Sequence, residues 1–253
     1  MAEDKSFAMD TVKGFLTSLG SGDPTPGGGA AASLSSAMGA SLLMMVANHT
    51  IGKQKYAEFE ELNKRVRDEA EAMLGRFIQG MDNDAEAFKA VSAAYGMPRD
   101  FTQIEIDKLS AMIQDLRSKG IEIDEIDQEE GMTPELMDQI ENGLKAARSA
   151  AIGEASVAAA EAPLAVMEDS VAALRLAASL PGCSNKNLLS DVLVATHCLS
   201  SGLLSAFYNV EANLPAIRKK DALMAEAILD KAGALIREGQ NLAEEVMVKA
   251  GKA

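Results

Sequence analysis

Ala31-Ala32-Ser33-Leu34-Ser35-Ser36-Ala37-Met38-Gly39-Ala40-Ser41 decides the fold class. Apart from Leu34 and Met38, every side chain in this run is small, and the run opens a predicted helix over residues 30–49. Side-chain size sets how closely two helix axes approach. A helix built this way belongs at a crowded centre, with other helices against several of its faces. Its neighbours in sequence agree. Alanine supplies 43 of the 253 residues, tryptophan is absent, and Ala, Leu, Met, Glu and Lys, all good helix formers, dominate. No window alternates apolar and polar residues with the Val, Thr and aromatic enrichment of strands. The expected architecture is all-α: a multi-helix bundle, one domain over residues 1–253.

Working outward, residues 6–19 read as a first helix with Phe7, Val12, Phe15, Leu16 and Leu19 on its apolar face. Gly20-Ser21-Gly22 ends it, and Asp23-Pro24-Thr25-Pro26-Gly27-Gly28-Gly29 follows as a shaped loop. Amphipathic helices are expected over residues 55–79 and 82–94, and a long alanine-rich helix over 143–180, bent near Pro163. Further helices are expected over 190–213, stopped by Pro215, and over 221–249. Residues 104–143 differ in character, with twelve acidic and three basic side chains. They read as an acidic helical insertion with pieces at 104–119 and 133–142, burying little of their own.

Charge excludes some functions. With 24 basic and 38 acidic residues the net charge is −14, the wrong sign for gripping phosphate backbones or anionic lipid. Neither nucleic acid nor membrane is an expected partner; the longest uncharged apolar stretch, residues 37–47, is about half a bilayer span. Cys183, Cys198, His49 and His197 are the only cysteines and histidines, in no zinc-like spacing, so no metal is expected. His197 and Cys198 read as core residues. The start Met-Ala-Glu-Asp-Lys has no basic-then-apolar leader, and the expected location is cytoplasmic.

Five constellations could carry chemistry. Pro26-Gly27-Gly28-Gly29 leads into a helix N-terminus, where unpaired amides and the positive dipole end suit an anion or a polarised carbonyl. It equally suits a tight connection in which glycine only permits close packing. Asn48, Thr50, Lys53, Lys55 and Tyr56 form a polar knot around Gly52: a helix C-cap, or a lysine placed for an anion or a proton. Asp82 and Asp84 stand at the predicted start of a helix as dipole partners, or as a general acid/base if burial lifts the pKa. Ser190-Asp191 is an N-cap signature. Asn209 and Asn213, four apart, share one helix face, where they either satisfy backbone groups or read a heterocycle edge. Beyond them, Arg218-Lys219-Lys220 is either a solvated helix start or an anchor for an anionic tail.

In this order, the blocks resemble the cyclodeaminase/cyclohydrolase family of folate one-carbon enzymes. They are residues 22–29, 46–56, 82–88, 161–164, 189–191 and Tyr208-Asn209-Val210-Glu211-Ala212-Asn213-Leu214-Pro215. Ala30 departs from the family pattern, which has serine after the three glycines. The family connector after the Asp84 helix is short, so residues 104–143 stand out as an addition. The resemblance implies an all-helical homodimer acting on a tetrahydrofolate derivative, with no other cofactor and no metal. Two reactions are implied: hydration of 5,10-methenyl-tetrahydrofolate to 10-formyl-tetrahydrofolate, or closure of 5-formimidoyl-tetrahydrofolate to the methenyl form with loss of ammonia. The first, a hydrolase activity, is slightly preferred over the second, a lyase. A non-catalytic folate-binding or structural helical protein is the alternative of another class. Carried onto this chain, the resemblance implies acid/base roles for Asp84 or Asp191, with Lys55 as electrostatic or proton-transfer partner. Pro26, Gly27, Gly28, Gly29, Thr50 and Ser190 would position substrate. Asn209 and Asn213 would hold the pterin or the reacting bridge, and Arg218, Lys219 and Lys220 the glutamate tail.

Overall fold

The computed structural model describes residues 6–100, 106–124 and 132–252. They form seven α-helices: α1 (Val12–Leu19), α2 (Gly28–Asn48), α3 (Glu60–Tyr95), α4 (Ile106–Ser118), α5 (Pro134–Ser179), α6 (Leu189–Lys220) and α7 (Ala222–Ala250). Short 3-10 turns at Gln54–Phe59 and Lys186–Leu188 lead into α3 and α6, and no strand occurs among the described residues.

The small-residue helix is the centre of the bundle. α2 packs against α3, α5 and α6, and only Gly28, Met38, Ser41 and Asn48 of its residues are exposed. Glycine makes the approach to α6 possible. A Cβ on Gly39 would stand 3.0 Å from the Ala195 carbonyl oxygen, and one on Gly202 would overlap the Ser36 hydroxyl. Ser36 Oγ shares a 2.8 Å hydrogen bond with Ser170 Oγ on α5, whereas the buried Ser33 and Ser200 Oγ atoms have no partner among the described residues. Contacts between α2 and α6 run Gly28 with Asn209, Ser36 with Gly202, and Gly39 with Leu199. The two helices are therefore antiparallel.

Several expected breaks are absent. Residues 55–79 and 82–94 do not form two helices, because α3 runs unbroken through Gly80. That glycine faces α2, where a Cβ would lie 2.9 Å from Ser33 Oγ, so it serves packing rather than termination. Asp82 and Asp84 are consequently mid-helix. α6 likewise continues through Pro215 to Lys220. An interior proline costs about 3 kcal/mol, but burial of Leu214 and Ile217 beside it returns roughly 1.5–3 kcal/mol each. Ser190 does not cap α6; the cap position is Leu188, and Ser190 and Asp191 lie in the first turn. The first helix is shorter than expected, starting after Thr11, whose hydroxyl accepts the Gly14 N–H at 2.9 Å. His197 is exposed rather than in the core.

The acidic segment buries more than its charge suggests. α4 and the first turns of α5 enclose Leu109, Ile113, Leu116, Ile123, Leu136, Ile140 and Leu144. Residues 104, 105 and 125–131 of that segment lie outside the described residues. α2, α5 and α6 are also long and apolar enough to cross a membrane by length and composition, more than residues 37–47 suggested. In the bundle these three helices pack on one another.

Candidate active site

The N-terminus of α2 meets the middle of α3 and the last third of α6. Gly27 takes the cap position of α2 without a side-chain hydrogen bond, and Pro26 beneath it is buried. In the first turn, the Ala30 N–H donates to Asp84 Oδ2 at 3.1 Å. The N–H groups of Gly28 and Gly29 have no acceptor among the described residues, the usual state of a helix start left open. A Cβ on Gly29 would overlap the Asp84 carboxylate, so glycine is what lets α3 present its acid to the end of α2. One residue earlier, a Cβ on Gly28 would lie 3.3 Å from Asn209 Oδ1.

Asp84 is half-buried. Burial pushes its carboxyl above the ordinary value, and the Ala30 N–H, which favours the anion, opposes that shift. Asp82, two residues before, has a different task. It accepts Ser6 Oγ at 2.6 Å, the Phe7 N–H at 2.7 Å and the Ala8 N–H at 3.4 Å. Asp82 therefore ties the N-terminal segment to α3, a role missed by treating both aspartates as helix-start residues.

Asn209 stands beside Gly28, and Asn213 lies one turn further along α6, against α5. Asn209 Nδ2 donates to the Ser205 carbonyl at 2.8 Å. Asn213 Nδ2 donates to Asn209 O at 2.9 Å and to Ala159 O on α5 at 3.3 Å. Both Oδ1 atoms are left without a donor among the described residues. The cluster thus combines a half-buried carboxylate, two open backbone donors and the Asn209 carboxamide oxygen, with that of Asn213 one turn beyond.

The other predicted residues lie elsewhere in the chain. Thr50 follows the far end of α2, which at 21 residues is about 30 Å long. Its hydroxyl is buried and spent: it donates to Val46 O at 2.7 Å and accepts the Asn185 N–H at 3.0 Å. Thr50 holds the loop before α6, at the opposite end of α2 from Gly27–Gly29. Lys55 stands at the same end, exposed, with Nζ 5.3 Å from the Tyr56 ring centre. The Tyr56 hydroxyl accepts the Lys186 N–H at 3.1 Å, which with Lys55 draws its pKa down. Ser190 and Asp191 belong to this end too, since Asp191 precedes Asn209 by 18 residues, about 27 Å along α6. In one chain, Asp84 does not meet Asp191 or Lys55. The basic run divides as well. Arg218 pairs with Glu226 at 2.8 Å and Lys220 with Glu154 at 2.9 Å, whereas Lys219 lines a cavity with α3 and α5 residues.

Comparison with known proteins bears on this geometry. A family model described as formiminotransferase-cyclodeaminase matches residues 11–123 and 135–233. The chain is 35% identical to a methenyltetrahydrofolate cyclohydrolase from Methylorubrum extorquens over 238 residues, 94% of each protein. It is 25% identical to a formimidoyltransferase-cyclodeaminase from Sus scrofa, covering 96% of this chain and 37% of that one. Among solved structures, a formiminotetrahydrofolate cyclodeaminase from Thermotoga maritima superposes with a TM-score of 0.72 at 21% identity, covering 96% of this chain and 97% of that one. That likeness concerns the fold.

Proposed function

The chain belongs to the formiminotransferase-cyclodeaminase family, and from that premise we propose that it is a folate one-carbon enzyme, a methenyltetrahydrofolate cyclohydrolase. The observation that carries the reading is Asp84, half-buried and held against the first turn of α2 by the Ala30 N–H. Similarity along nearly the full length of a relative named for that activity supports it.

The chemistry needs a group that both takes and returns a proton. Water adds to the bridging carbon between N5 and N10 of the methenyl cation while the Asp84 carboxylate accepts its proton, giving a tetrahedral carbinol. Protonated Asp84 then donates to N5, the C–N5 bond breaks, and the carbinol proton leaves to solvent as the formyl C=O forms on N10. A carboxyl raised by burial suits both halves. The open Gly28 and Gly29 N–H groups face the developing oxygen, and the Asn209 and Asn213 Oδ1 atoms accept N–H donors of the pterin. The reaction so written uses no cofactor beyond the tetrahydrofolate substrate. Mixing the protein with 5,10-methenyl-tetrahydrofolate and following the methenyl chromophore tests it. Accelerated decay supports the reading. Formation of the chromophore from 5-formimidoyl-tetrahydrofolate with ammonia assigns the cyclodeaminase reaction instead, and silence in both assays leaves a binding protein.

The working unit in this proposal is a homodimer. Asp84 and Lys55 stand at opposite ends of the antiparallel α2–α6 pair, and Met38, Val194, Leu204 and Tyr208 are exposed between them. A two-fold axis across that face sets the Lys55 end of one copy beside the Asp84 end of the other. Mixing inactive Asp84→Asn and Lys55→Ala proteins, each unfolded and refolded together, should recover about a quarter of wild-type activity through mixed dimers carrying one intact site. No recovery, with both variants folded, would defeat the shared-site arrangement.

A further inference from the structure

Ser33, in the second turn of α2, is a buried polar group beside Asp84 that the proposed chemistry leaves unused. It is 1% exposed, and its hydroxyl has no hydrogen-bond partner among the described residues. Leaving a buried hydroxyl unpaired is unfavourable. Alanine would fill the space without that penalty, as Ala32, Ala37 and Ala40 do elsewhere on the helix. Close packing of α2 on α3 therefore does not account for the serine.

The geometry supplies an acceptor. Gly29 faces Asp84 and Ser33 faces Gly80, so α2 and α3 run antiparallel and the two contacts are one helical turn apart, about 5.4 Å. Side chains lean toward the N-terminus of their own helix. Across an antiparallel pair, Ser33 leans toward the Gly29 turn and Asp84 toward the Gly80 turn, which brings hydroxyl and carboxylate toward each other. Val166, the other side chain at this level, offers only a methyl: a Cβ on Gly80 would stand 2.9 Å from Ser33 Oγ and 3.5 Å from Val166 Cγ2. Of the Asp84 oxygens, Oδ2 accepts the Ala30 N–H at 3.1 Å, and Oδ1 receives no donor among the described residues. An unspent donor and an unspent acceptor thus stand one turn apart on the same contact.

Charged neighbours are engaged elsewhere or exposed. α2 carries no ionisable side chain. On α3, Asp82 is taken by Ser6, Phe7 and Ala8, while Glu86 and Lys89 are exposed. Before α2, Asp10 lies against Gly14 and Asp23 is exposed. On α5, Glu161 is exposed and Asp169 pairs with Arg76; on α6, Glu211 is exposed. Burial and the Ala30 N–H are what act on the Asp84 carboxyl. We propose that Ser33 is the positioning residue for Asp84: its hydroxyl donates to Asp84 Oδ1, directly after a χ1 rotation or through one water, and holds the carboxylate at the Gly28–Gly29 turn. A hydroxyl both donates and accepts, so serine partners the carboxylate that takes a proton from water and then the carboxyl that returns it. The role in turnover rests on the folate reading, whereas the contact itself belongs to the free protein.

The test compares full-length Ser33→Ala with wild type and with Ser36→Ala, a control that breaks the Ser36–Ser170 bond on the same helix. The Asp84 carboxyl is titrated by carbon-13 NMR of aspartate-labelled protein, its signal assigned with Asp84→Asn. Loss of the Ser33 hydroxyl removes a donor to the anion, so the titration midpoint should move up by about half to one pH unit. The acid limb of kcat/KM for 5,10-methenyl-tetrahydrofolate should move with it. The melting temperature of Ser33→Ala should match or exceed wild type, since alanine is the better helix former and strands no hydroxyl. Ser36→Ala should do the reverse, melting lower with its Asp84 titration unmoved. Ser33→Cys, which returns a weak donor, should bring the midpoint part of the way back. A midpoint unmoved by Ser33→Ala overturns the positioning role and leaves the folate reading standing wherever turnover persists. Equal shifts from Ser33→Ala and Ser36→Ala show a general loosening of α2 and overturn it as well. A shift specific to Ser33 in a protein that turns over neither folate keeps the contact and overturns the reaction.

Discussion

The two ends of α2 carry similar numbers of polar groups and use them in opposite ways. At the Thr50 end most of the groups are paired, with Asn63 Oδ1 a buried acceptor that has no partner among the described residues. The Thr50 hydroxyl bridges Val46 O and the Asn185 N–H, and Asn63 Nδ2 bridges Phe59 O at 2.9 Å and Cys183 O at 3.0 Å. At the Gly28 end the Ala30 N–H and the two asparagine Nδ2 groups are answered, while among the described residues the N–H groups of Gly28 and Gly29 and the Oδ1 atoms of Asn209 and Asn213 stay open. One end stabilises the bundle, and the other holds unspent donors and acceptors against a half-buried carboxylate. Apart from Gly29, the residues that carry these open groups are exposed or half-buried, so a ligand can reach them.

The sharpest way to break this contrast is Asp84→Asn. Removing the proton carrier should lower kcat by about 10²–10⁴, read from methenyl chromophore decay, with helicity unchanged by circular dichroism. Near-wild-type turnover would end the acid/base assignment. The pH dependence follows from the same residue. The fold raises the Asp84 pKa above its unfolded value, so folding favours the protonated form. The stability this adds is present below the unfolded pKa and lost as pH rises through the folded one. Asp84→Asn should therefore melt above wild type at pH 7, with the gap closing below about pH 4. In wild type, kcat/KM should rise with pH on an acid limb set above the ordinary aspartate value, and the variant should lack that limb.

The next effect is smaller and tests geometry. Gly29→Ala drives a methyl into the Asp84 carboxylate, whereas Gly28→Ala meets Asn209 Oδ1 at 3.3 Å, close but short of overlap. Gly29→Ala should cost about 10²-fold in kcat, as a displaced catalytic group does. Gly28→Ala should act mainly on KM, and equal kcat losses from the two would show that Asp84 is not the sensitive contact. The smallest effect on turnover belongs to the other end. Thr50→Val strands the Asn185 N–H and should cost about 1–3 kcal/mol of stability, seen in denaturant unfolding. Its kcat should stay close to wild type; a loss there with stability intact would restore Thr50 to the site.

The sequence makes the bundle legible because helix composition and the small-residue run leave few other folds for the chain. It also sets Asn209 and Asn213 on one helix face, since four residues on a helix is a statement about one face. Other features are hidden for physical reasons. Gly80 and Pro215 look like stops, yet a glycine facing Ser33 and a proline flanked by buried Leu214 and Ile217 are held helical by tertiary packing. Asp84 is visible as a residue, while its environment depends on α2 arriving from 54 positions away. In one chain Lys55, Thr50 and Asp191 stand at the other end from Asp84, and short motifs say nothing about which end of a 30 Å helix pair each one occupies. The acidic segment misled through its charge: the stripe from Leu109 to Leu116 and its partners Ile140 and Leu144 make a small core of their own.

Asp82 and Asp84 are spelled alike and separated by one residue, but they answer to different parts of the chain. Asp82 is bound to Ser6, Phe7 and Ala8, and Asp84 to the turn at Gly29 and Ala30. Across relatives the two positions should diverge on separate schedules. Changes at Asp82 should travel with changes in residues 6–8, while a side chain gained at Gly29 should appear only where the acid at Asp84 has been lost or moved.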